Sequence, residues 1–540
     1  MLQNLPPEIL CKVISQLPIK SIVLLRQVSK HLRQVTYDRS IWVRAYRASP
    51  LVHPEGPFKC QTTQMLESIL VRSARLAPNW PPNPTIKPVR TRMLPIQDDA
   101  SLLCERWLLV TSDRKRIVCY DLDAAATGAG ASMTTEGLPC TTLYGVPEEN
   151  TSIASFLCDS ILPSCTRDRC GAGRSHPRPL AFLTVILRKY RGHMDTEYMR
   201  KIYKINVAED GLSMLALPRG LETNLPDLVT KMVVSPRLLA VYDPVKMPQE
   251  AILADVETHQ LYELPESERQ WMFYTIILTS THVLLFCPYN NRLPTGGGVF
   301  AGTHIEAYEI PPRSTSELPH AQAESQSVPA KTQLRLSHVT THIGALSFKD
   351  NIDTGDHFLP KLCPLRDATF NHATGVTSMS MVLACTLSGA SIRVLHLQLH
   401  PALSPLSRAT ASAGDGIGTI TLEPSKNIVD IGGYANQDMA DYYLSLVRPA
   451  FNGHTRGMAF HFLREEDQGA LSAVGMHAHA LEIDDAEDAG CTRTSAEHGV
   501  WRFCGLQPES RIVASVPHRG RVVVRAQQQA AFAIHILDFV

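Results

Sequence analysis

Apolar residues at Ile9, Leu10, Val13, Ile14 and Leu17 recur at the three-and-four spacing that lines one face of a helix. Pro6 suits the first turn of that helix, where its missing N–H leaves nothing unpaired. Pro18 cannot continue it. A second amphipathic stretch, Ser21 to Val28, carries Ile22, Leu25 and Val28 on one side, and a third runs through Leu32 and Val35. Trp42 and Tyr46 follow on a short final turn. Two or three helices in about 45 residues cannot bury all of this apolar surface alone, so the pattern predicts docking on a partner.

From Gln64 to Leu76 the residues Met65, Leu66, Ile69, Leu70 and Leu76 predict one more helix, and Pro78 ends it. Pro78 to Pro84 then reads as a stiff, extended connector, which puts a domain boundary near residue 90. Beyond it the period changes to short β-type runs: Trp107–Thr111, Ala181–Leu187, Leu238–Tyr242, Val283–Phe286 and Val522–Val524. A loose four-residue pattern, with a polar residue third and apolar ones around it, appears at Cys119–Leu122, Ile202–Ile205, Leu253–Val256 and Ala307–Ile310. It recurs at Val394–Leu397, Ala459–Phe462 and Ile536–Phe539, seven copies in all, about 70 residues apart on average. Such spacing fits a β-propeller with loop insertions, near 311–331 and 402–418 where the chain is rich in Pro, Ser, Gln, Ala and Gly. Seven blades is the expected number, and paired β-sandwiches are the alternative. Arg106 to Leu122 resembles one degenerate WD-type blade, without the Gly-His and Trp-Asp dipeptides of that repeat.

Read end to end, Leu5-Pro6-Pro7-Glu8-Ile9-Leu10, Leu17-Pro18, Leu25-Arg26-Gln27-Val28-Ser29-Lys30 and Ile41-Trp42 resemble the F-box motif, with Cys11 and His31 at less typical places. The resemblance covers residues 1–50. It implies binding to the Skp-type adaptor of SCF (cullin–RING) ubiquitin ligases, with contacts at Leu5, Pro6, Ile9, Leu10, Val28, Lys30 and Trp42. Charge agrees. Residues 1–50 hold eight basic side chains against Glu8 and Asp38, which suits an acidic partner.

Over all 540 residues Lys+Arg and Asp+Glu are both 52, so the formal charge is zero. That argues against a nucleic-acid binder and against attraction to an anionic membrane. Apolar residues make up 44% and charged ones 19%, ordinary for a globular chain long enough for three or four domains. No 18-residue apolar run occurs, and the start lacks a basic segment followed by an apolar one. Thirteen cysteines without a disulfide-like framework predict reduced thiols, hence cytoplasm or nucleus.

Catalytic signatures are weak. Cys158, Cys165, Cys170 and His176 lack zinc-knuckle spacing. His477 and His479 share one strand face ahead of Asp484, Asp485, Glu487 and Asp488, which reads as an exposed strand and an acidic loop. Gly296-Gly297-Gly298 has no following Lys-Ser/Thr, so it reads as a hairpin loop rather than a P-loop. No Gly-x-Ser-x-Gly elbow, kinase signature or Rossmann fingerprint occurs. The sequence therefore predicts an α+β chain by domain: an F-box at 1–50, a helix plus Pro-rich linker at 51–90, and a mainly β domain at 91–540. The expected role is that of a non-enzymatic substrate receptor without a cofactor, joining the adaptor and its cullin–RING ligase to an unidentified substrate protein. A propeller-based metal-dependent enzyme and a ligase-independent scaffold are the alternatives. Tyr242, Tyr274 and Arg292 are candidate substrate contacts, and residues 91–540 are expected to be soluble without the helices.

Overall fold

A computed structural model describes residues 5–49, 51, 53, 57, 61–76, 85–86, 89–95, 99–123, 140–161, 180–190, 196–207, 212–217, 223–225, 231–235, 237–244, 246–258, 260–265, 274–279, 281–292, 299–311, 334–345, 361–364, 369–370, 376–385, 391–400, 419–430, 447–452, 456–467, 470–482, 499–503, 511–516, 519–528 and 531–538. The chain begins with α1 (Pro7–Ile14), α2 (Ile19–Val28), α3 (Lys30–Val35), α4 (Arg39–Ala48) and α5 (Thr63–Leu76). Ser29 breaks α2 from α3 by turning extended, and its Oγ accepts the Leu32 N–H at 3.1 Å as the cap of α3. Asp38 caps α4 through the Ser40 N–H at 2.8 Å. One core takes Leu10, Cys11 and Ile14 from α1, Ile22 from α2, Leu32 from α3, Ile41, Trp42, Ala45 and Tyr46 from α4, and Leu66 and Leu70 from α5. One expectation changes here: the region around Trp42 is a full ten-residue helix rather than a short turn. The helix expected from Gln64 to Leu76 is α5, and it adds Leu66 and Leu70 to the helical core.

Two short strands follow, β1 (Thr85–Ile86) and β2 (Arg90–Pro95). The first sheet is then β3 (Ala100–Leu103), β4 (Trp107–Ser112), β5 (Arg116–Asp121) and β6 (Cys140–Gly145), each paired antiparallel to the next. The second holds β7 (Thr151–Ile161), β8 (Leu180–Tyr190), β9 (Thr196–Val207) and β10 (Leu212–Ala216), with β11 (Thr223–Leu225) also on β9. The third is β12 (Lys231–Val234), β13 (Leu238–Tyr242), β14 (Ile252–Asp255) and β15 (Leu261–Glu263). The fourth is β16 (Thr275–Leu278), β17 (His282–Arg292), β18 (Val299–Glu309) and β20 (Ser337–Ala345), while β19 (Leu334–Arg335) runs parallel to β15 in the third. The fifth gathers β21 (Lys361–Pro364), β22 (Thr369–Phe370), β23 (Thr377–Cys385), β24 (Ser391–His400) and β25 (Thr419–Asp430). The sixth is β26 (Val447–Asn452), β27 (Arg456–Asp467), β28 (Ala470–Glu482) and β29 (Gly499–Phe503), and the seventh β30 (Arg511–Val516), β31 (Arg521–Gln528) and β32 (Ala531–Asp538).

The N-terminal strands enter the last two sheets. β1 lies parallel to β29, and β2 pairs antiparallel with β32, Arg90 opposite Asp538. Residues 85, 86 and 90, at the end of the stretch expected as helix plus linker, thus pair with strands of two sheets, while the expected stiff connector, Pro78 to Pro84, lies outside the described residues. The seven loose sequence runs fall one in each sheet, in β5, β9, β14, β18, β24, β27 and β32.

Alternation along the strands explains how neighbouring sheets meet. In β4, Trp107 and Leu109 face the second sheet at Phe156, Leu183 and Val185. Leu108 and Val110 point the other way, to Leu94, Val523, Ile534 and Ile536 of the seventh. In β8, Phe182 turns from the first sheet to Leu239 and Val241 of the third. Leu238, Ala240 and Tyr242 then meet Tyr274, Ile276, Val283 and Leu285 of the fourth. The first three sheets are therefore buried on both faces, each against a different neighbour. Every such large apolar side chain contributes about 1.5–3 kcal/mol. A pair of sandwiches would leave one face of each sheet outward, which these sheets do not do. Tyr242 and Tyr274, named as candidate substrate contacts against a structural role, are 1% and 2% exposed, with rings 5.2 Å apart inside this packing. They are core. Arg292 ends β17 opposite Val299, and the triglycine, expected in a hairpin loop, lies outside the described residues.

Polar pairs mark the same place in several sheets. The residue that opens the second strand, or just precedes it, is an arginine paired with the carboxylate ending the third strand: Arg106 with Asp121 at 2.5 Å, Arg237 with Asp255 at 3.8 Å, and Arg521 with Asp538 at 2.7 Å. In the sixth sheet Arg456 holds the same register opposite Glu482. Hydrogen bonds from Arg106 hold the Asp121 carboxyl below the usual range. The guanidinium also reaches across to the next sheet: Arg237 donates to the Pro311 carbonyl, and Arg521 to the Leu122 carbonyl.

Burial holds His282 neutral, its pKa down at about 4, with Nδ1 2.9 Å from the Thr281 hydroxyl. Because the folded value lies below the unfolded one of 6.5, this residue's stabilising effect is full above that pH and is lost as pH falls toward 4. Unfolding free energies from urea titration are expected to fall more steeply over that window in the wild type than in His282→Gln, by about 3 kcal/mol in all. Parallel curves would refute it.

Candidate functional site

The helical module has a filled core, yet two apolar stripes stay in solvent. On α1 and its lead-in, Leu5, Ile9 and Val13 follow at four-residue steps and are 37%, 44% and 43% exposed. On α2, Leu24 and Val28 are 56% and 69% exposed. Pro6 places the first stripe: its carbonyl accepts the Ile9 and Leu10 N–H groups at 3.0 Å, which fixes the first turn, and Glu8 favours the positive helix start. Around the stripes Lys12, Lys20, Lys30, Arg33, Arg44 and Arg47 are exposed.

Of the residues expected to touch an adaptor, Leu5, Pro6, Ile9, Val28 and Lys30 are exposed. Leu10 and Trp42 are not, at 1% and 0%. A side chain so enclosed presents no surface to a partner, and the Trp42 indole instead donates to the Thr36 carbonyl at 2.7 Å, tying α4 to the end of α3. Leu24 and Val13 lie on the exposed stripes but were not among the expected contacts; the residues themselves carried the signal as apolar positions left over once the core face is assigned.

Arg26 pins the module together. It makes a forked bond to Glu67 of α5 at 2.6 and 2.8 Å, donates to the Thr36 hydroxyl at 3.0 Å, and stands 4.3 Å over the Tyr37 ring. Its guanidinium is thereby spent inside the chain, and the other basic side chains supply the outward field.

The difference between core and stripe is measurable. Trp42→Ala is expected to cost about 3–5 kcal/mol of folding free energy. Ile9→Ala should stay within about 0.5 kcal/mol. Denaturant titration of the two variants checks both numbers, and equal losses would show that the assignment of inside and outside is wrong.

The other chemical candidates do not assemble. Cys158 lies on β7 with Sγ 3.0 Å from the Ser101 hydroxyl, while Cys165, Cys170 and His176 lie outside the described residues. His477 and His479 are on β28, and Asp484 to Asp488 lie outside the described residues. Among the described residues no group of three or more His, Cys, Asp or Glu is placed to hold a metal, and no helix is long and apolar enough to cross a membrane.

Comparison with known proteins bears on the helical part. Residues 2–48 match the family model described as F-box-like. No curated protein matches the chain. Among solved structures, the N-terminal domain of Nup159 aligns over 84% of this chain and 98% of its own, at 9% identity and a TM-score of 0.30. An S. cerevisiae complex of a Dbp5 variant bound to Nup159, a Gle1 variant, IP6 and ADP aligns over 84% and 97%, at 8% identity and a TM-score of 0.24. Likeness at that level fixes neither fold nor function. The exposed stripes thus belong to an N-terminal F-box-like domain, which a mostly β region of several antiparallel sheets follows.

Proposed function

We propose that the chain is the substrate-recognition subunit of an SCF-type cullin–RING ubiquitin ligase, its F-box-like domain docking on a Skp-type adaptor and its β region holding the substrate protein. One observation carries this: the stripes Leu5–Ile9–Val13 and Leu24–Val28 stay exposed although the helical core is complete. In this reading Leu5, Pro6, Ile9, Val28 and Lys30 touch the adaptor, while Leu10 and Trp42 hold the helices that present them. The surplus of basic side chains in residues 1–50 favours an acidic partner and speeds encounter.

We read the β region as a seven-bladed propeller. Support comes from seven sheets in chain order among the described residues, from the burial of both faces of the first three, and from β2 pairing with β32. The chain makes and breaks no bonds itself; it supplies proximity and orientation. It works in the cytoplasm or nucleus, with cysteines such as Cys11 and Cys119 outside any disulfide.

The test uses the full chain carrying Ile9→Asp and Val28→Asp. In cells this variant should still capture the substrate but lose the adaptor and cullin, so the captured partner's half-life should lengthen. Loss of every partner along with the adaptor, or unchanged half-lives, would refute the receptor role.

A further inference from the structure

Two very short strands share one placement. β1 comes just before β2, the edge strand of the seventh sheet. Yet it lies parallel to β29 of the sixth sheet, with Thr85 opposite Arg502 and Ile86 opposite Phe503. β19 comes just before β20, the edge strand of the fourth sheet. Yet it lies parallel to β15 of the third, with Leu334 opposite Tyr262 and Arg335 opposite Glu263. The Leu336 N–H then bonds the Glu263 carbonyl at 2.9 Å before the chain crosses to β20. β2, β15, β20 and β29 themselves pair antiparallel within their sheets. In both places the arriving chain pairs with one sheet before it closes the edge of the next. What precedes each differs: the helical module and residues 77–84 ahead of β1, and residues 312–333 ahead of β19.

Edge strands open from their ends, where opening costs least. For β2 that end is Arg90, two residues from Arg92, whose side chain is 3% exposed and bonds Asp538 at 2.6 Å. For β20 it is Ser337, next to Leu336, which is 2% exposed in the core between the third and fourth sheets. A two-residue pairing is weak alone. Here it lies within a few residues of an existing strand, so closing it costs little chain entropy. The end that opens first moves upstream, from Arg90 to Thr85 and from Ser337 to Leu334. We propose that β1 and β19 are clips that stop loosening of the chain ahead of them from spreading into β2 and β20. The helical module then unfolds without opening the seventh sheet. The inference needs no ligase partner, and its failure would leave adaptor docking untouched.

Hydrogen exchange of the full chain tests it. Leu10→Asp, which disrupts the helical core, should accelerate exchange in α1–α5 and leave β2 at its wild-type rate. Thr85→Gly with Ile86→Gly weakens the first clip by removing strand preference. Adding Leu10→Asp to that pair should speed β2 exchange by about tenfold beyond the glycines alone, a coupling that simple loss of packing at residues 85 and 86 would not produce. Leu334→Gly with Arg335→Gly, at two exposed positions, should speed exchange at the start of β20 by about the same factor. Unchanged exchange in β13 and β14 for the first clip, and in β4 and β5 for the second, is the check that each variant folds. A β2 rate that already rises in Leu10→Asp alone, or β2 and β20 rates unmoved once the clips are replaced, would overturn the proposal.

Discussion

An Asp538→Ala chain is expected to lose about 3–5 kcal/mol of stability, since the substitution strands two enclosed guanidiniums at once. Asp538 accepts from Arg92 at 2.6 Å and from Arg521 at 2.7 Å, and those side chains are only 3% and 9% exposed. The Leu122 carbonyl, bonded to both arginines, cannot replace a negative charge. Asp538→Asn keeps an acceptor and should fall between wild type and Ala. Lys189→Ala, which breaks a solvent-facing pair with Glu148, should cost under about 1 kcal/mol and serves as the comparison. Urea titration followed by far-UV circular dichroism measures all three. If Asp538→Ala and Lys189→Ala differ by less than the error of the fit, the Asp538 pairs carry no special weight.

The second large effect concerns the F-box-like surface. Ile9→Asp with Val28→Asp is expected to abolish binding to a purified Skp-type adaptor while far-UV spectrum and urea midpoint stay near wild type. Both positions are open to solvent in the free chain, so the carboxylates cost little there. In a complex each would be buried without a partner, at a cost of several kcal/mol. A micromolar contact is worth about 8 kcal/mol in total, so two such penalties erase it. Leu10→Asp is the informative contrast: it should unfold the module, because that side chain is core. Adaptor recovered at wild-type yield with the double variant would exclude the stripes as the docking face.

Much of this architecture was legible from period alone. Continuous apolar runs such as Trp107–Thr111 and Leu238–Tyr242 mark strands because a strand buried on both faces needs apolar residues at successive positions, as in Leu108-Leu109-Val110. The arginine partners were not legible. Arg106 precedes its carboxylate by 15 residues and Arg521 by 17, and hairpins of different length separate them, so no fixed spacing exists to find. In the helical module the apolar spacing located α1 but did not separate Ile9 from Leu10. Adjacent apolar residues on a short helix fall on either side of the boundary, and only the position of α4 and α5 decides which one is enclosed. The helix α5 was legible but its packing was not, for a related reason: its partner surface, around Arg26 and Tyr46, lies far back in sequence, whereas the prolines after it are conspicuous. β1 and β2 were hidden by that same proline-rich context, since two residues opposite β29 make no run at all.

The pairing of Arg92 with Asp538 spans 446 residues. At ribosomal rates of about 5–20 residues per second, β2 waits roughly 20–90 s for its partner strand to be made. During that time Leu94, destined for full burial beside Leu108 and Val110, has no seventh sheet to complete its surroundings, and β2 offers an unpaired edge. Contacts this distant are also the slowest to form once both ends exist. The newly made chain therefore passes through a stage in which the first sheets are packed and the last seam is open. Its exposure to chaperones, and to wrong pairing with other nascent copies, should concentrate in that stage rather than in the synthesis of the helices.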